Sequence, residues 1–380
     1  MRHQNSVFAR ILKFLPWGEL ERLVEEHGAD RRQRGFTTRT HLGALIYGQL
    51  SAAASLREIE ACLSSHEARR YHLGMGHVSR SSLAEANAHR PSAFFTDLLA
   101  VMMKRAHRGL RRKLDGVTYL VDSTSLALSE RSARWARFSA EVCGAKAHIV
   151  YDPDADQPVY LAISAANLND ITAAKAMPIE AGATYVFDLG YYDYGWWAAL
   201  DAKGCRIVTR IKRNTPLTII ETRPVPKNST VLADRIGHLP KRQAMNRKNP
   251  FQKPVREITV TIDTGKVLRI LTNDLHAPAQ EIAELYKRRW AIELFFRWIK
   301  QTLKITRFLG TSENAVRIQV AVALITFLLL RLAQASQKTV ASPLAFARLI
   351  RTNLMHRREL TALLKPEKPL PINTSQLALL

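Results

Sequence analysis

Hydrophobic periodicity changes several times along the chain, and these changes predict its organisation. Residues 1–112 carry apolar side chains at roughly helical intervals, which predicts a mostly helical region. Residues 113–213 alternate short β-branched runs with helical patterns, which is typical of an α/β layer with a mixed sheet. Residues 214–275 are again strand-like, residues 276–335 have two helical patterns, and residues 336–380 form a proline-containing tail. We therefore expect a mixed-sheet α/β core that is interrupted by a β-rich insertion and preceded by a helical region.

Two acidic residues follow the strongest strand patterns in the α/β part. The run "VTYLVD" predicts a buried strand ending at Asp122, and "ATYVFD" repeats the pattern and ends at Asp188. Between them, "KAHIVYD" and "PVYLAIS" predict a hairpin around the turn residues "PDADQ". Acids at the C-terminal ends of strands lie where α/β sheets place their sites. Taken singly, either aspartate is better explained as a turn or capping acid at a strand end.

A polar stripe marks the long helix that the pattern predicts from residue 279 to about residue 304. Tyr286, Arg289, Glu293 and Lys300 are spaced by three, four and seven residues. At about 100° per residue, the four side chains fall within about 60° of one another. By itself the stripe also fits an exposed helix face with an Arg289–Glu293 pair worth about 0.2–0.5 kcal/mol.

The charge balance indicates the class of partner. The chain has 56 Lys and Arg against 33 Asp and Glu, a formal net charge of +23. A field of this sign attracts polyanions and opposes self-association, so nucleic acid is the first partner to expect. Between Arg206 and Arg256 there are 13 Lys and Arg and only two acidic residues, so the β-rich insertion is strongly basic. An anionic membrane surface or a ribosomal location is the alternative.

A second basic cluster lies among the predicted N-terminal helices. Short helices with basic loops suit a DNA reader of the helix-turn-helix kind, and a helical bundle with a solvated basic face is an equal alternative. The cluster consists of Arg31, Arg32, Arg34, Arg39 and His41.

Membrane, secreted and zinc-dependent classes find little support. The longest apolar run, Val320 to Leu330, has 11 residues, which is too short to span a bilayer and suits a buried core helix. No apolar segment with a small-residue cleavage site marks a secretory signal. The three cysteines are far apart, and no HExxH pair occurs, which argues against disulfides and zinc. The cysteine content favours a reducing cytoplasm.

Three carboxylates together predict a phosphoryl-transfer site. Such chemistry needs cations that neutralise the attacking and leaving oxygens, and two Mg²⁺ ions about 3.5–4 Å apart do this in nucleases and polymerases. Mg²⁺ prefers oxygen ligands. Asp122 and Asp188 on neighbouring strands, with Glu293 from a helix packed at the sheet edge, could supply them. We predict two Mg²⁺ ions, with Mn²⁺ able to substitute.

The stripe also carries a family resemblance. "YKRRWAIELFFRWIK" matches the Tyr-x2-Arg-x3-Glu-x6-Lys signature of DDE-type insertion-sequence transposases, and the chain resembles the insertion-sequence-four family. "LVDSTS" is similar to the first-aspartate strand of that family, "VFDLGYYDYGWW" to its second-aspartate segment, and "RFLGTSENAVRIQVAVALI" to its closing helices. With the N-terminal segment, the resemblance covers nearly the whole chain.

The resemblance implies an RNase H-like catalytic core and cut-and-paste transposition. Asp122, Asp188 and Glu293 would bind metal, and water and then a 3′-hydroxyl would be the nucleophiles. The partners would be double-stranded DNA of the element ends and of the target, bound by a dimer. The expected contacts to DNA are Tyr286, Arg289, Lys300, Lys212 and Arg213. A nuclease or resolvase on the same fold, or an inactive DNA-binding relic, is the alternative.

One departure from the family concerns base stacking. Relatives that form DNA hairpins use a tryptophan of the β insertion to stack on a flipped base, but this chain has no Trp between Trp197 and Trp290. Within the insertion, residues 214–275, the only Phe, Tyr or Trp is Phe251, which we name as the candidate base platform. Its alternative role is a hydrophobic anchor for the insertion.

Overall fold

The computed structural model describes residues 5–31, 33, 35–110, 116–137, 139, 142–225, 229–242, 248–262, 264–303, 305, 307–337 and 339–364. The helices are α1 (Val7–Leu12), α2 (Trp17–Glu26), α3 (Thr38–Ser51), α4 (Leu56–Ser64), α5 (Glu67–His72), α6 (Arg80–His89), α7 (Ser92–Leu110), α8 (Ala133–Ala136), α9 (Asp170–Ala176), α10 (Tyr194–Ala202), α11 (Ala279–Arg288), α12 (Trp290–Thr302), α13 (Glu313–Ala335) and α14 (Pro343–Asn353). The strands are β1 (Thr118–Leu128), β2 (Cys143–Asp152), β3 (Gln157–Ala165), β4 (Thr184–Phe187), β5 (Arg206–Arg210), β6 (Thr218–Arg223), β7 (Val231–His238), β8 (Val255–Thr261) and β9 (Val267–Thr272).

One mixed sheet carries all nine of these strands, in the order β3-β2-β1-β4-β5-β9-β8-β7-β6. Strands β1 to β3 form an antiparallel meander, and β4 and β5 run parallel to β1. Helices cover this part of the sheet, with α10 against β5 and α12 against β1. The arrangement is the mixed-sheet α/β core that the sequence predicts.

The β-rich insertion continues the same sheet. Strand β9 pairs antiparallel with β5, and β8, β7 and β6 follow as a meander. The sequence runs "PLTIIET", "REITVTID" and "KVLRILTN" predict β6, β8 and β9, whereas β7 was not predicted. A buried ion pair joins two insertion strands, because Arg256 donates to both carboxylate oxygens of Asp234 at 2.7 and 2.6 Å. Arg256 also donates to the carbonyl of Ala277, which ties the insertion to the start of α11.

The N-terminal helices share a hydrophobic core with the closing helices. Helices α3 and α7 pack against α13, and α14 packs against α3 and α13. Helix α13 is long and apolar enough to cross a membrane by length and composition, but 83% of its most apolar window is buried inside the protein. This agrees with the buried core helix that its apolar run predicts. The segment beyond residue 335 is more than a tail, because α14 contributes Phe346 and Ile350 to the core.

The predicted N-terminal basic cluster is not one continuous surface. His41 is fully buried in α3, and its Nε2 lies 2.9 Å from Oδ1 of Asn87. Burial lowers the pKa of His41 to about 3, with the nearby Arg90 charge acting in the same direction, so this side chain is neutral and belongs to the core. Arg39 is exposed, and its guanidinium lies 4.3 Å from the ring centre of Trp17. Arg31 is exposed, and Arg32 and Arg34 lie outside the described residues.

Candidate functional site

Parallel pairing of β1 and β4 brings the two aspartates together. The paired positions end with Val121 opposite Phe187, so Asp122 and Asp188 are the next residues on adjacent strands. Asp188 directly follows β4, as predicted, and its Oδ1 accepts a hydrogen bond of 2.8 Å from the Gly190 N–H. This turn holds the Asp188 carboxylate at the edge of the sheet.

Asp122 itself lies inside a strand, which corrects the predicted strand end. Strand β1 runs on to Leu128, because the residues after Asp122 pair with β2 as far as Cys143. Asp122 therefore marks the end of the parallel pairing with β4 while its own strand continues. Ser123 donates its backbone N–H to Oδ1 of Asp122 at 2.8 Å, which orients the carboxylate. The serine and threonine of "VDSTS" are strand residues and do not cap a turn.

The long helix predicted from residue 279 is two helices that meet at Arg289. Helix α11 ends at Arg288 and α12 begins at Trp290. At the junction the Arg289 N–H donates to the carbonyl of Tyr286, three residues back, so the helical turn is tighter there. Because of this break, Arg289 faces the edge of the sheet that carries Asp122. The straight surface stripe predicted for one continuous helix is not formed.

Arg289 connects the helix to the first strand aspartate. Its guanidinium donates to Oε1 of Glu293 at 2.6 Å and lies 3.5 Å from Oδ2 of Asp122. The i,i+4 pair that the sequence allowed as an alternative is therefore present, but it is not confined to an exposed face. The three side chains expose only 16–32% of their area, and they bring Glu293 to the edge that carries the aspartates.

The electrostatics of Asp122 reflect a concentration of negative charge. Burial raises the pKa of its carboxyl to about 6, and the charges of Asp188 and Glu293 act in the same direction. The Ser123 N–H and the Arg289 charge oppose the increase but do not cancel it. The carboxylates of Asp188 and Glu293 thus lie close enough to affect Asp122. A cation at this edge would be favoured by the field of all three.

Tyr286 and Lys300 lie on the same helical pair as Glu293. Tyr286 is buried, and its ring centre lies 5.8 Å from the Arg289 guanidinium carbon. Burial raises the pKa of Tyr286, against the lowering effect of Arg289 and Arg210, so its hydroxyl remains a neutral donor. Lys300 is half-buried two turns further along α12, and burial lowers its pKa. Lys212 and Arg213 are exposed in the loop after β5, with Lys212 4.9 Å from the ring centre of Tyr192.

A cleft beside the site contains basic and aromatic residues that the sequence did not single out. The cleft has a volume of about 830 Å³ and lies between strands of the insertion and α11. Arg210, at the end of β5, lines it together with Lys266, Tyr286 and Trp290. Trp290 is 51% exposed. Arg210 could have been found only by knowing that β5 lies next to β4.

The structure corrects the candidate base platform. Phe251 is 2% exposed and packs within the hydrophobic core around Trp197 and Val255. Its ring faces are covered by protein, so a DNA base cannot stack on them in this structure. The hydrophobic-anchor alternative describes Phe251, and the exposed aromatic ring beside the site is that of Trp290.

The donor set suits a hard divalent cation. Asp122, Asp188 and Glu293 offer carboxylate oxygens only, which is the ligand chemistry that Mg²⁺ prefers. Among the residues that the structure describes, no three His, Cys, Asp or Glu side chains already form a ready-made metal group. Within this set, the Arg289 guanidinium lies between Asp122 and Glu293 and supplies part of the positive charge. The chemistry of the three side chains fits such an ion.

Comparison with known proteins gives concordant results. Residues 113–329 match the family model of the transposase DDE domain, and residues 3–76 match a domain of unknown function (DUF4372). A Sinorhizobium fredii (strain NBRC 101917 / NGR234) protein named as the transposase y4zB is 40% identical over 297 residues, which cover 77% of this chain and 81% of that protein. A Geobacillus stearothermophilus protein named as the transposase for insertion sequence element IS5377 is 27% identical over 317 residues, which cover 82% of this chain and 81% of that protein.

A solved structure shows a more distant similarity. The cryo-EM structure of the piggyBac transposase synaptic complex with hairpin DNA aligns with a TM-score of 0.46 and 11% identity, covering 98% of this chain and 88% of that chain. This likeness is too weak to carry a conclusion. The family model spans more than half of the chain, and the 40% identical relative is covered over most of its length. The chain belongs to the DDE transposases of insertion sequences, DNA-binding enzymes that use divalent metal ions to cut DNA strands and transfer them in transposition.

Proposed function

We propose that Asp122, Asp188 and Glu293 bind two Mg²⁺ ions, for which Mn²⁺ can substitute. The observation that carries the proposal is the bridge from Arg289 to Glu293 and Asp122, which brings the helix carboxylate to the edge where β1 and β4 place the aspartates. Bound there, the ions would neutralise the attacking and leaving oxygens of a phosphodiester. The perturbed pKa of Asp122 supports the close approach of the three acids.

The neighbouring side chains are proposed to hold the DNA backbone. Arg289 can exchange its carboxylate partners for a phosphate when metal ions take over the charge of Asp122 and Glu293. The buried hydroxyl of Tyr286 is held beside Arg289 and can donate to the same phosphate. Lys300 would contact the strand further along α12. Lys212 and Arg213 extend the basic surface beyond β5, where both are exposed.

The wider assignment follows the resemblance to the insertion-sequence-four group. We propose cut-and-paste movement in which water and then the 3′-hydroxyl of the element end act as nucleophiles. The substrates would be double-stranded element ends and target DNA, bound by a dimer in the bacterial cytoplasm, at the nucleoid. The net charge of +23 favours assembly on DNA over assembly of the free chain.

The test replaces each acid with its uncharged isostere, Asp122→Asn, Asp188→Asn and Glu293→Gln. Each variant should lose Mg²⁺-dependent nicking of element-end DNA while keeping its affinity for that DNA within a few-fold, because phosphate is held by the cations. Nicking is followed on denaturing gels and binding by fluorescence anisotropy at fixed salt, since affinity for DNA depends steeply on salt. Calorimetric titration of Mn²⁺ gives a readout independent of activity, and each variant should lose metal sites.

A matched control exists for the helix carboxylate. Glu313 and Arg317 on α13 form an i,i+4 pair at 2.6 Å, the same distance as in the Arg289–Glu293 pair. Glu313→Gln removes such a pair away from the site and should leave nicking and Mn²⁺ binding unchanged. Any of the three site variants that still nicks DNA like the parent would remove that residue from the metal site.

A further inference from the structure

A polar cluster lies on the sheet face opposite to Asp122. Ser123, which directly follows Asp122, points to that face and pairs across β1 and β2 with His148. Its hydroxyl donates to Oδ1 of Asp170 at 2.9 Å, and Lys146 donates to the same oxygen at 3.1 Å. The carboxylate of Asp170 is 23% exposed. The cluster therefore ties the start of α9 to β1 at the position next to the first site aspartate.

The other oxygen of Asp170 faces the turn that orients the second aspartate. A methyl group built on Gly190 would lie 3.6 Å from Oδ2 of Asp170 and 3.0 Å from Oδ1 of Asp188. The Gly190 N–H donates to Asp188, just as the Ser123 N–H donates to Asp122. Asp170 thus accepts a hydrogen bond from the first of the two short segments whose backbone N–H groups aim the carboxylates, and it lies close to the second.

Ordinary structural roles do not account for this carboxylate. Helix α9 is capped by Asn169, whose side chain accepts from the Ile171 N–H, so Asp170 is not needed as the cap. A partly exposed Lys146–Asp170 pair would contribute only about 0–1 kcal/mol to stability. The Nδ1 atom of His148 lies 3.7 Å from the same Asp170 oxygen, which is too far for a hydrogen bond. The contact that remains specific is the hydrogen bond from Ser123, which comes from the strand segment beside Asp122.

We propose that Asp170 is a positioning residue that sets the relative placement of Asp122 and Asp188 and thereby the affinity for the catalytic metal ions. The inference rests on the proposed metal role of these two aspartates. Outer groups that hydrogen-bond to a ligand segment typically affect metal affinity or activity by about 10–100-fold. Asp170 would act through its hydrogen bond from Ser123 on one side and through its closeness to the Gly190 turn on the other.

The experiment measures Mn²⁺ binding and nicking of element-end DNA as functions of Mn²⁺ concentration, with the full-length chain. Asp170→Ala should raise the Mn²⁺ concentration for half-maximal nicking by about 10-fold or more, with most of the rate recovered at saturating Mn²⁺. Asp170→Asn keeps an oxygen acceptor for the Ser123 hydroxyl, so its effect should be smaller. Ser123→Ala should raise the same Mn²⁺ concentration by a smaller factor. In the double variant, Ser123→Ala with Asp170→Ala, the increase should be smaller than the two single effects combined.

Asp193 provides the matched control. It pairs with Lys175 at 2.8 Å and is 25% exposed, close to the exposure of Asp170, but its Oδ1 accepts a hydrogen bond from the Trp196 N–H. Asp193→Asn should leave the Mn²⁺ dependence unchanged. Circular dichroism of every variant verifies that the fold is kept.

The possible failures are distinguishable. An unchanged Mn²⁺ curve for both Asp170 variants would overturn the inference. Complete loss of a metal site in Asp170→Asn, without recovery at high Mn²⁺, would also overturn it, since Asp170 would then be a ligand. If Asp122→Asn itself keeps all Mn²⁺ sites, the proposed metal role fails, whatever the result at Asp170.

Discussion

Replacing Asp122 with Asn should stabilise the metal-free protein at neutral pH while it abolishes strand cleavage. Burial raises the pKa of the Asp122 carboxyl from 3.8 to about 6, so keeping the charge at pH 7 costs folding free energy. At about 1.4 kcal/mol per pH unit, this difference amounts to about 3 kcal/mol. The side chain is 18% exposed, so solvent screening reduces the cost only moderately. Asn has the same shape and carries no charge at any pH.

The sign of the pH dependence follows from the direction of the shift. A group whose pKa is raised by folding contributes stability that is present below its unfolded pKa and is lost as the pH rises through the folded value. For the parent protein this loss falls between about pH 4 and pH 6. The Asp122→Asn variant has no carboxyl group to ionise at this position and does not lose this stability. The two proteins should therefore have similar unfolding free energies near pH 4, and the variant should be more stable by up to about 3 kcal/mol at pH 7.5.

Urea-induced unfolding in the presence of EDTA, from pH 4 to pH 8, measures this difference directly. The unfolding midpoint of the variant should move above that of the parent as the pH rises. Added Mg²⁺ should then raise the midpoint of the parent more than that of the variant, because ligand binding to the folded state stabilises it. A variant that is less stable than the parent at pH 7.5, or that differs by a constant amount at every pH, would refute the reasoning.

Other predictions concern the core, the insertion and the N-terminal region. Since burial holds the pKa of His41 near 3, the parent should lose up to about 1.4 kcal/mol per pH unit as the pH falls below about 6.5, and His41→Gln should remove this part of the slope in the same urea series. Phe251→Ala should lower the unfolding free energy by about 3–5 kcal/mol, whereas the half-exposed Trp290 can be changed to Ala with little loss of stability. If the enzyme forms hairpin ends, a fluorescent base analogue at the element tip should lose its unstacking signal in Trp290→Ala, and a normal signal there would exclude this ring. A fragment of residues 1–112 should fail to fold in circular dichroism, because α3 and α7 would expose the faces that pack on α13, and a cooperatively folded fragment would contradict this.

The sequence predicted those features of the site that depend on local pattern. Asp188 lies directly after β4, as predicted, because a short apolar strand and the turn that follows it are both determined by residues close together in the sequence. The extent of β1 is different, since the strand continues past Asp122 only because β2 pairs with it. The break at Arg289 was equally hidden. All residues around it are compatible with a helix, and the bend becomes visible only with the tertiary contact to Asp122.

Burial of single side chains was the least predictable property. Phe251 in a basic stretch and His41 in a basic cluster looked exposed by their neighbours, yet both lie in hydrophobic cores that distant segments complete. The sequence around Asp170 did not indicate a role in the site either, because an acidic residue after an asparagine at the start of a helix is typical of ordinary helix capping. Its contact with Ser123 joins residues 47 positions apart. Such contacts follow from sheet order, which periodicity does not encode.

The shared sheet also gives the insertion a protective role against aggregation. Strand β5 would be an edge strand of a five-stranded core if β9 did not pair with it. An open edge offers unpaired N–H and C=O groups to other chains and is a common starting point for aggregation. The insertion moves that edge to β6, a strand of six residues that carries Glu221 and Arg223. A chain shortened by removing residues 214–275 would therefore expose a new sheet edge beside the strand that leads into Asp188.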